Sequence, residues 1–509
     1  MRLYFFVRLC FWQIIDRMDI KAVGMYYIGI DLGTSSLKAV IADKTGTIIG
    51  QAKRGYPLAM PRDNWSEQNP ADWYDACIQV LRELGGGFDL SAVAGLSFSG
   101  QMHGLVILDK DDNIIRPAIL WNDNRTAAEC DYLNTEIGRD KLIDWTGNIA
   151  FTGFTAPKVL WLKNNEKDNY KKIAKAMLPK DFLAYKLSGV FATDVSDASG
   201  TLYFDVKAKA WSKPVLEILG LRREQLPAIF ESYNVIGKVK KEIAALTGLS
   251  ENCAVIIGAG DQAAGAIGTG TTGGNALSIS LGTSGVVFAA SDRFVLDKKA
   301  RLHSFCHANG GYHVMGVMLS AAGSTKWWAE DILQTDDYGK IFKETAALPI
   351  DDLLFLPYLT GERSPINDPC AVGGFYGLRA NTTRAAMTKA VLEGVCFGLK
   401  DCLNAIDDLG VAPTSARVIG GGAKSKEWLQ ILADVSGLKL HAINTEEGGA
   451  LGAVILAMAG TGLYKDVQSA CAAIIKDKET VSPIKANTAA YAKKFTKYKA
   501  LYENVKNKL

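Results

Sequence analysis

The sequence contains the same short turn twice, and each copy lies between two apolar runs. The first copy reads Leu32-Gly33-Thr34-Ser35 and the second reads Leu281-Gly282-Thr283-Ser284, at a constant offset of 249 positions. Two apolar runs joined by a short turn of this composition predict a β-hairpin. Self-similarity at a fixed spacing indicates a duplicated structural unit. We therefore expect an α/β chain with two similar halves that face each other across a cleft.

Both turns have the composition of a phosphate-binding site. Gly33 has no Cβ, so a ligand can approach the backbone, and Thr34 and Ser35 offer hydroxyl and amide donors. Asp31, at the end of the first strand, could hold a Mg²⁺ ion bound to the same phosphate oxygens. The second copy has Ser280 at this position, so only one half retains the acid. Because ordinary hairpin turns also use Gly, Ser and Thr, the turns alone do not separate the two explanations.

Fainter echoes of the duplication follow the hairpins in the same order. Residues 94–100 match residues 418–422, and the small residues around Gly265 match those around Gly452. The glycine-rich segment 268–273 fits the pattern G-x-G-x-x-G, but it follows a helix-like stretch and precedes a strand, the reverse of what a dinucleotide site requires. We interpret it as the link between the halves. The predicted domains are residues 25–270 and residues 271–509.

Two loops of the first half carry candidate binding and catalytic residues. The strand that begins at Val93 is followed by Gln101, Met102 and His103, and glycines on both sides predict that this triplet is exposed at the carboxyl end of the strand. From the residues alone, His103 fits an ordinary surface or core histidine as well as it fits a ligand-binding one. A second strand leads to Asp261 at the start of a small-residue helix, where the helix dipole is expected to keep the carboxylate ionised, as a general base needs.

The strand near residue 418 ends in three consecutive glycines, residues 420–422. This is not a Walker A loop, because Gly, Lys and Ser are not contiguous. Bare backbone suits the flat face of an adenine and its ribose better than a phosphate. From about residue 470 onward the chain is rich in Lys and Ala, and we expect a solvated terminal helix there.

Composition limits the classes of partner. The chain has 509 residues, which is room for two or more domains, with 22% charged residues and a net charge of +3, so neither nucleic acid nor an anionic membrane is favoured. The nine cysteines are scattered and odd in number, which predicts buried thiols in a reducing compartment. The pair His303 and His307 lacks a second ligand group at zinc spacing.

Residues 1–24 differ from the rest of the chain. They are aromatic and basic, they precede Met25, and Arg8 interrupts the apolar run that a signal peptide would need. We expect these residues to be an extension outside the fold whose removal leaves activity and melting temperature unchanged. A start codon assigned too early would explain them, and an anchor to a membrane surface is the alternative.

From Met25 to about Lys465 the chain resembles the FGGY carbohydrate kinases of the actin-like ATPase superfamily. The resemblance rests on strings that include IGIDLGTSS, SGQMHG, GAGDQAAGA, SLGTSG, FLPYLTGER and VIGGGA. It implies two RNase H-like domains around a cleft, with the sugar held mainly by the first and ATP mainly by the second.

The resemblance also implies roles for individual residues. Asp261 would take the proton of the attacking sugar hydroxyl, and Asp31 would bind Mg²⁺. The phosphoryl group would be stabilised by Gly33, Thr34 and Ser35, and the sugar contacted by Gln101, Met102 and His103. The nucleotide would be contacted by Thr283, Gly323, Gly422 and Ala423.

The expected reaction is the ATP-dependent phosphorylation of D-xylulose to D-xylulose 5-phosphate in the cytoplasm, with a homodimer as the family-based expectation. A kinase of another ketose or polyol, such as ribulose or glycerol, is the nearest alternative. A non-catalytic, nucleotide-gated sugar sensor or a filament-forming actin relative would share the fold. The presence of both Asp31 and Asp261 argues against a sensor without catalytic activity. The Gln-Met-His loop argues against a filament-forming relative of actin.

Overall fold

The computed structural model describes residues 25–445 and 447–506, and these residues form two seven-stranded sheets. The first sheet consists of β1 (Tyr26–Leu32), β2 (Ser36–Ala42), β3 (Ile48–Gly55), β4 (Val93–Gly100), β5 (Val235–Lys238), β6 (Ala254–Ile256) and β7 (Ala259–Gly260). The second sheet consists of β8 (Leu277–Leu281), β9 (Gly285–Ser291), β10 (His303–Cys306), β11 (Tyr312–Met318), β12 (Ser415–Ile419), β13 (Lys439–Ile443) and β14 (Asp477–Val481). The predictions made for residues 1–24 lie outside the described residues.

Both sheets have the same arrangement around their first strand. β1 pairs antiparallel with β2, which pairs antiparallel with β3, while the other edge of β1 pairs parallel with β4, and β4 with β6. In the second sheet β8 pairs antiparallel with β9, which pairs with β11, and the other edge of β8 pairs parallel with β12, and β12 with β13. The two predicted hairpins and the duplicated RNase H-like architecture are therefore confirmed.

Helices cover the sheets. The longer ones are α1 (Pro70–Gly85), α2 (Thr155–Asn165), α3 (Pro179–Ser188), α4 (Asp261–Gly268), α5 (Arg384–Asp407), α6 (Lys426–Ser436), α7 (Gly449–Gly460) and α8 (Lys485–Val505). Shorter helical segments lie at Ala127–Tyr132, Leu133–Gly138, Arg139–Thr146, Lys167–Lys172, Val195–Ala198, Lys213–Leu219, Lys241–Thr247, Ala322–Lys326, Trp327–Ile332, Tyr338–Lys343 and Val467–Ile474.

The pair Asn69-Pro70 and the helical spacing of the apolar residues after it predict a helix, and α1 is that helix. The side chain of Asn69 accepts a hydrogen bond from the Ala71 N–H at 3.1 Å, and a proline occupies the first helical position, where its missing N–H costs nothing. The face that packs on the first sheet is buried, as its spacing predicts, and includes Trp73, Cys77, Val80 and Leu81.

Helices α4 and α7, one from each half, pack directly on each other. A Cβ atom on Gly452 would lie 1.9 Å from the carbonyl oxygen of Ala264, and one on Gly268 would lie 2.0 Å from that of Gly448. These distances leave no space for a side chain, so glycine is required where the two backbones touch. The sequence echo between Gly265 and Gly452 therefore falls on the two helices that join the halves.

Residues 101–234, between β4 and β5, carry α2, α3 and several two-stranded pairs. The strand Val106–Leu108 pairs with Lys175–Met177, and Ala192–Asp194 pairs with Ala228–Phe230. Apolar side chains of this region share one buried cluster with side chains of the second sheet, among them Met102, Phe154, Phe288, Phe305 and Met315. The region therefore covers one side of the cleft and contacts the second half.

The predicted terminal helix is present as α8, but the expectation that this region is solvated is wrong for one face of the helix. The chain beyond residue 470 adds β14 to the edge of the second sheet, and α8 buries Tyr491, Tyr498 and Tyr502. The hydroxyl groups of Tyr498 and Tyr358 lie 2.8 Å apart. Lysines dominate the composition of this helix, but its tyrosines face the core of the second half, and that placement decides its burial.

Seven of the eight described cysteines are buried and unpaired, which confirms the expectation of buried thiols; Cys370 is exposed. Within the described ranges, every helix is too short or too polar to cross a bilayer.

Candidate active site

Asp31 lies at the end of β1, between Lys38 on β2 and Ser99 on β4. The Ser99 hydroxyl donates to Asp31 Oδ1 at 2.7 Å. Burial raises the pKa of Asp31; the Ser99 hydrogen bond lowers it, the charge of Glu447 raises it and that of Lys38 lowers it. This carboxylate is held rigidly beside the first turn, with one oxygen fixed by a hydrogen bond.

The second half reaches Asp31 through the start of α7. A Cβ atom on Gly449 would lie 2.9 Å from Asp31 Oδ1 and 2.6 Å from Ser99 Oγ. Glu447, two residues earlier, forms an ion pair with Lys38 across the two halves. Sequence reasoning missed these contacts; the pair of glycines before an apolar helix was the signal that could have indicated a close approach.

The first turn is connected to the Gln-Met-His loop by hydrogen bonds. The Thr34 hydroxyl donates to Gln101 Oε1 at 3.3 Å and accepts from Trp121 Nε1 at 2.9 Å, while Ser35 is exposed. Gln101 Nε2 in turn donates to Gln68 Oε1 at 3.0 Å. Both ends of the Gln101 amide are therefore used to join the phosphate-like turn to the neighbouring loops.

The prediction that Gln101, Met102 and His103 are exposed was wrong. Gln101 is 2% exposed and Met102 is 5% exposed, and His103 is partly buried. The cover comes from α2, where Thr155 Oγ1 and Lys158 Nζ donate to the His103 carbonyl oxygen at 3.1 Å and 2.8 Å. The glycines that flank the triplet do open the chain, but the later insertion covers it.

His103 has a defined tautomer and orientation. Its Nδ1 lies 2.8 Å from the Gly200 carbonyl oxygen, which can only accept, so Nδ1 carries the proton and Nε2 is an acceptor. The ring stacks on Phe154 at 4.7 Å, and the backbone has a φ of 69°, a strained value for a residue with a Cβ. Burial, and then the charge of Lys158, lower the pKa of His103 to about 3, so the imidazole is neutral.

Asp261 is the first residue of α4, and the structure brings it next to the loop of His103. Met102 packs on Gly260, whose added Cβ would lie 3.0 Å from the Met102 sulfur. Burial, and then the charge of Asp31, raise the pKa of Asp261 to about 7. The expectation that the helix dipole keeps this carboxylate fully ionised was therefore wrong, because burial and a neighbouring acid outweigh a short helix. A group with this pKa accepts protons readily near neutral pH.

One segment, Asp194 to Thr201, positions both Asp261 and His103. Ser196 Oγ accepts the Gly260 N–H at 3.2 Å, and the Gly200 carbonyl accepts from His103. Ser199 Oγ accepts the Cys306 N–H at 3.0 Å, which links the segment to the second half.

A buried ionic cluster fixes the base of this segment. Lys180 Nζ lies 2.7 Å from Asp181, 2.8 Å from Asp194 and 3.6 Å from Asp197. Burial would lower the pKa of Lys180, but the three carboxylates raise it. Burial raises the pKa of Asp197 far above its ordinary value. The sequence analysis missed this cluster; four charged residues inside an apolar stretch were the available signal.

The second turn brings the predicted nucleotide residues together. The Thr283 carbonyl oxygen accepts the N–H groups of Ala321 and Gly323 at 2.9 Å and 3.0 Å. A Cβ atom on Gly422 would lie 2.9 Å from that of Leu281, and the Ala423 N–H donates to the Gly420 carbonyl at 3.1 Å. The predicted residues Thr283, Gly323, Gly422 and Ala423 thus surround one turn.

The described residues offer Asp31, rather than a ligand cluster, as the candidate metal-binding group. In residues 25–445 and 447–506, no three His, Cys, Asp or Glu side chains gather as a ligand group. His303 stacks on Phe305, and His307 Nε2 lies 2.8 Å from the Thr271 carbonyl. Asp31 is a single carboxylate beside the phosphate-like turn, which fits Mg²⁺ carried mainly by phosphate oxygens.

Known proteins resemble this chain across both halves. Residues 26–268 match the model of the FGGY family of carbohydrate kinases, N-terminal domain, and residues 277–461 match the C-terminal domain. Xylulose kinase from Escherichia coli (strain K12) is 41% identical, covering 85% of this chain and 89% of that protein. Xylulose kinase from Staphylococcus xylosus is 37% identical, covering 94% and 100%. The crystal structure of a "xyloylose kinase" from Brucella ovis is 37% identical with a TM-score of 0.91, covering 95% and 99%.

Proposed function

Because this chain belongs to the FGGY family of carbohydrate kinases, we propose that it transfers the terminal phosphoryl group of ATP to D-xylulose. The single observation that carries the proposal is the meeting of Asp31, Asp261 and the His103 loop at one edge of the first sheet. Relatives at 37–41% identity carry the name xylulose kinase, which supports this choice of sugar. The product is D-xylulose 5-phosphate.

In the proposed reaction, Asp261 accepts the proton of the sugar hydroxyl as its oxygen attacks the terminal phosphorus of ATP. The bond from that phosphorus to the bridging oxygen breaks, and ADP leaves with the electron pair. Phosphoryl transfer requires mainly positioning and charge neutralisation, with one group that orients the nucleophile. The pKa of Asp261, about 7, suits this role at neutral pH.

His103 orients the sugar in this proposal. Its neutral ring offers Nε2 as an acceptor for a sugar hydroxyl, because Nδ1 is committed to the Gly200 carbonyl. Met102 supplies an apolar contact beside Gly260. Gln101 accepts a hydrogen bond from Thr34, and it therefore connects the loop of residues 101–103 with the turn of residues 33–35.

We assign the phosphate and nucleotide contacts to both halves. Gly33, Thr34 and Ser35 face the transferring phosphoryl group, and Asp31 would hold Mg²⁺, which neutralises charge on the phosphate oxygens. On the second half, Thr283 and Gly323 contact the phosphates, and the Gly422–Ala423 loop contacts adenosine. Exclusion of water by closure of the halves would prevent hydrolysis of ATP in place of transfer.

The boundary between the halves is proposed near Gly270, supported by the position of the two sheets on either side of it. A cytoplasmic location is supported by the buried, unpaired thiols. The homodimer stays a family-based proposal, which sedimentation at micromolar concentration would test.

A coupled assay of ADP release with a panel of pentuloses and polyols tests the proposed function. We expect D-xylulose to give the highest kcat/KM. A higher value for ribulose or glycerol would replace the substrate and keep the kinase. Sugar binding without ADP release from any sugar would replace the kinase with a sensor.

A further inference from the structure

Arg363 belongs to a loop of the second half that is anchored on both sides. The Oε1 atom of buried Glu362 accepts the N–H groups of Leu319 and of Arg363 itself, both at 2.8 Å. The Ser364 N–H donates to the Val317 carbonyl oxygen at 2.9 Å, which attaches the loop to β11. The backbone of Arg363 is therefore held in place, which limits the region that its side chain can reach.

The guanidinium group of Arg363 lies beside a group of packed rings formed by Phe151, Phe154 and His303, which lies against His103. We call these rings the aromatic wall. Its Cζ atom is 5.8 Å from the centre of the Phe151 ring. Phe151 packs edge-on against Phe154 at 5.4 Å and against His303 at 5.2 Å, and Phe154 stacks on His103. These contacts place a cation of the second half on the same wall as the imidazole of the first half.

Within residues 25–445 and 447–506, the Arg363 guanidinium makes no hydrogen bond and no ion pair, and its side-chain neighbour is the Phe151 ring. Glu362 and Arg363 attract each other, but among the described residues no hydrogen bond or ion pair joins their side chains. Glu362 Oε1 is used by two backbone groups, and burial raises the pKa of Glu362 to about 8. A guanidinium has five N–H donors, and leaving them without acceptors in a partly buried site is costly. The arrangement is therefore suited to a ligand that brings acceptors into the cleft.

The charge of Arg363 lowers the pKa of two histidines, His303 and His103. After burial, Arg363 is the largest contribution that lowers the pKa of His303, and it adds to the lowering for His103. The pKa of Asp261 responds instead to burial, Asp31 and Gln262. Arg363 therefore lies within Coulombic range of both histidines, in agreement with its position beside Phe151.

We propose that Arg363 is a substrate-binding residue that donates hydrogen bonds to carbonyl and hydroxyl oxygens of the ketose. This inference rests on the proposed sugar kinase function. The acceptors are neutral oxygens of a linear ketose, which a planar guanidinium can contact two at a time. Because Arg363 and His103 come from different halves, a sugar held by both connects the halves across the cleft.

The test compares wild type with R363Q, R363K and a matched control, R379Q, which changes an exposed arginine of the same half. We measure KM and kcat for D-xylulose, KM for ATP, ATP hydrolysis without sugar, and the melting temperature. For R363Q we expect KM for D-xylulose to rise roughly 10- to 100-fold, as for loss of a hydrogen bond from a charged group. R363K should be intermediate, since it keeps the charge and loses the planar fork.

In R363Q, KM for ATP, sugar-independent hydrolysis and the melting temperature should stay at wild-type values, as should every parameter of R379Q. An unchanged KM for D-xylulose in R363Q overturns the inference. So does a lower melting temperature with a parallel rise of both KM values, because this would indicate a structural role. If wild type does not phosphorylate D-xylulose, the proposed function fails at that measurement. The Arg363 comparison is then made with the sugar that wild type does phosphorylate.

Discussion

The substitution Asp261→Asn separates a catalytic base from a structural acid. The amide has nearly the same size as the carboxylate, but it cannot accept the sugar proton. Turnover should therefore fall by at least ~10²–10⁴-fold, the range for loss of a general base. The alternative is a structural role at the start of α4, where the Gln262 N–H donates a hydrogen bond to the Asp261 side chain. In that case, Asn would accept this bond equally well and would leave turnover nearly intact.

The same substitution should raise stability, and its size follows from the pKa. Asp261 has a pKa of about 7 when folded, against an ordinary value of 3.8. Ionisation therefore favours the unfolded chain, by about 1.4 kcal/mol per pKa unit, or ~4 kcal/mol as an upper limit. This destabilisation is absent below pH 3.8, develops as the pH rises to 7, and is complete above it. Asn, which does not ionise, removes it.

The assay measures sugar-dependent ADP release, ATP and sugar binding, and thermal melting from pH 5 to pH 8. We expect an inactive Asp261→Asn protein that still binds both substrates. Its melting temperature should exceed that of wild type by an amount that increases from pH 5 to pH 7. An active variant would refute the base, and a variant that melts at the wild-type temperature at pH 8 would refute the perturbed carboxylate.

Three further outcomes are expected. Asp31→Asn should abolish most turnover while ATP still binds, because adenosine is held by the other half; normal turnover at saturating Mg²⁺ would remove Asp31 from the mechanism. Wild-type kcat/KM should increase as the pH rises through about 7, because Asp261 must lose its proton to act as a base, and a profile that is flat from pH 6 to pH 8 would contradict this. Gly452→Val should lower the melting temperature strongly, since its Cβ would meet the Ala264 carbonyl at 1.9 Å; a wild-type melting curve would show that α4 and α7 can separate freely.

Patterns that are local in the chain predicted the elements and their order. The hairpins around Gly33 and Gly282, the capped helix after Asn69 and the small residues of α4 all follow from short-range spacing and turn chemistry. The constant offset between the two turns predicted the duplicated topology, because two similar strings fold by the same local rules. Asp31, the triplet Gln101–His103 and Asp261 could be named for the same reason, since each lies at or after a strand end, whereas the nucleotide contacts of Gly323 and Ala423 were implied only by the resemblance to the FGGY family.

Properties that depend on residues far apart in the chain could not be predicted this way. The His103 backbone is covered by helix α2, more than fifty residues later, and the raised pKa of Asp261 depends on its burial and on Asp31 across the sheet. Arg363 lies beside the aromatic wall, at the Phe151 ring, only because the two halves pack together.

The sequence by itself determined two similar α/β halves, a phosphate-like turn in each and a set of candidate acids. The tertiary structure alone decided which acids are protonated near neutral pH, which side chains are free for a ligand and which glycines allow the halves to touch. The physical reason is that strand and turn formation depend on neighbours in sequence. Desolvation, charge coupling and close packing depend on neighbours in space.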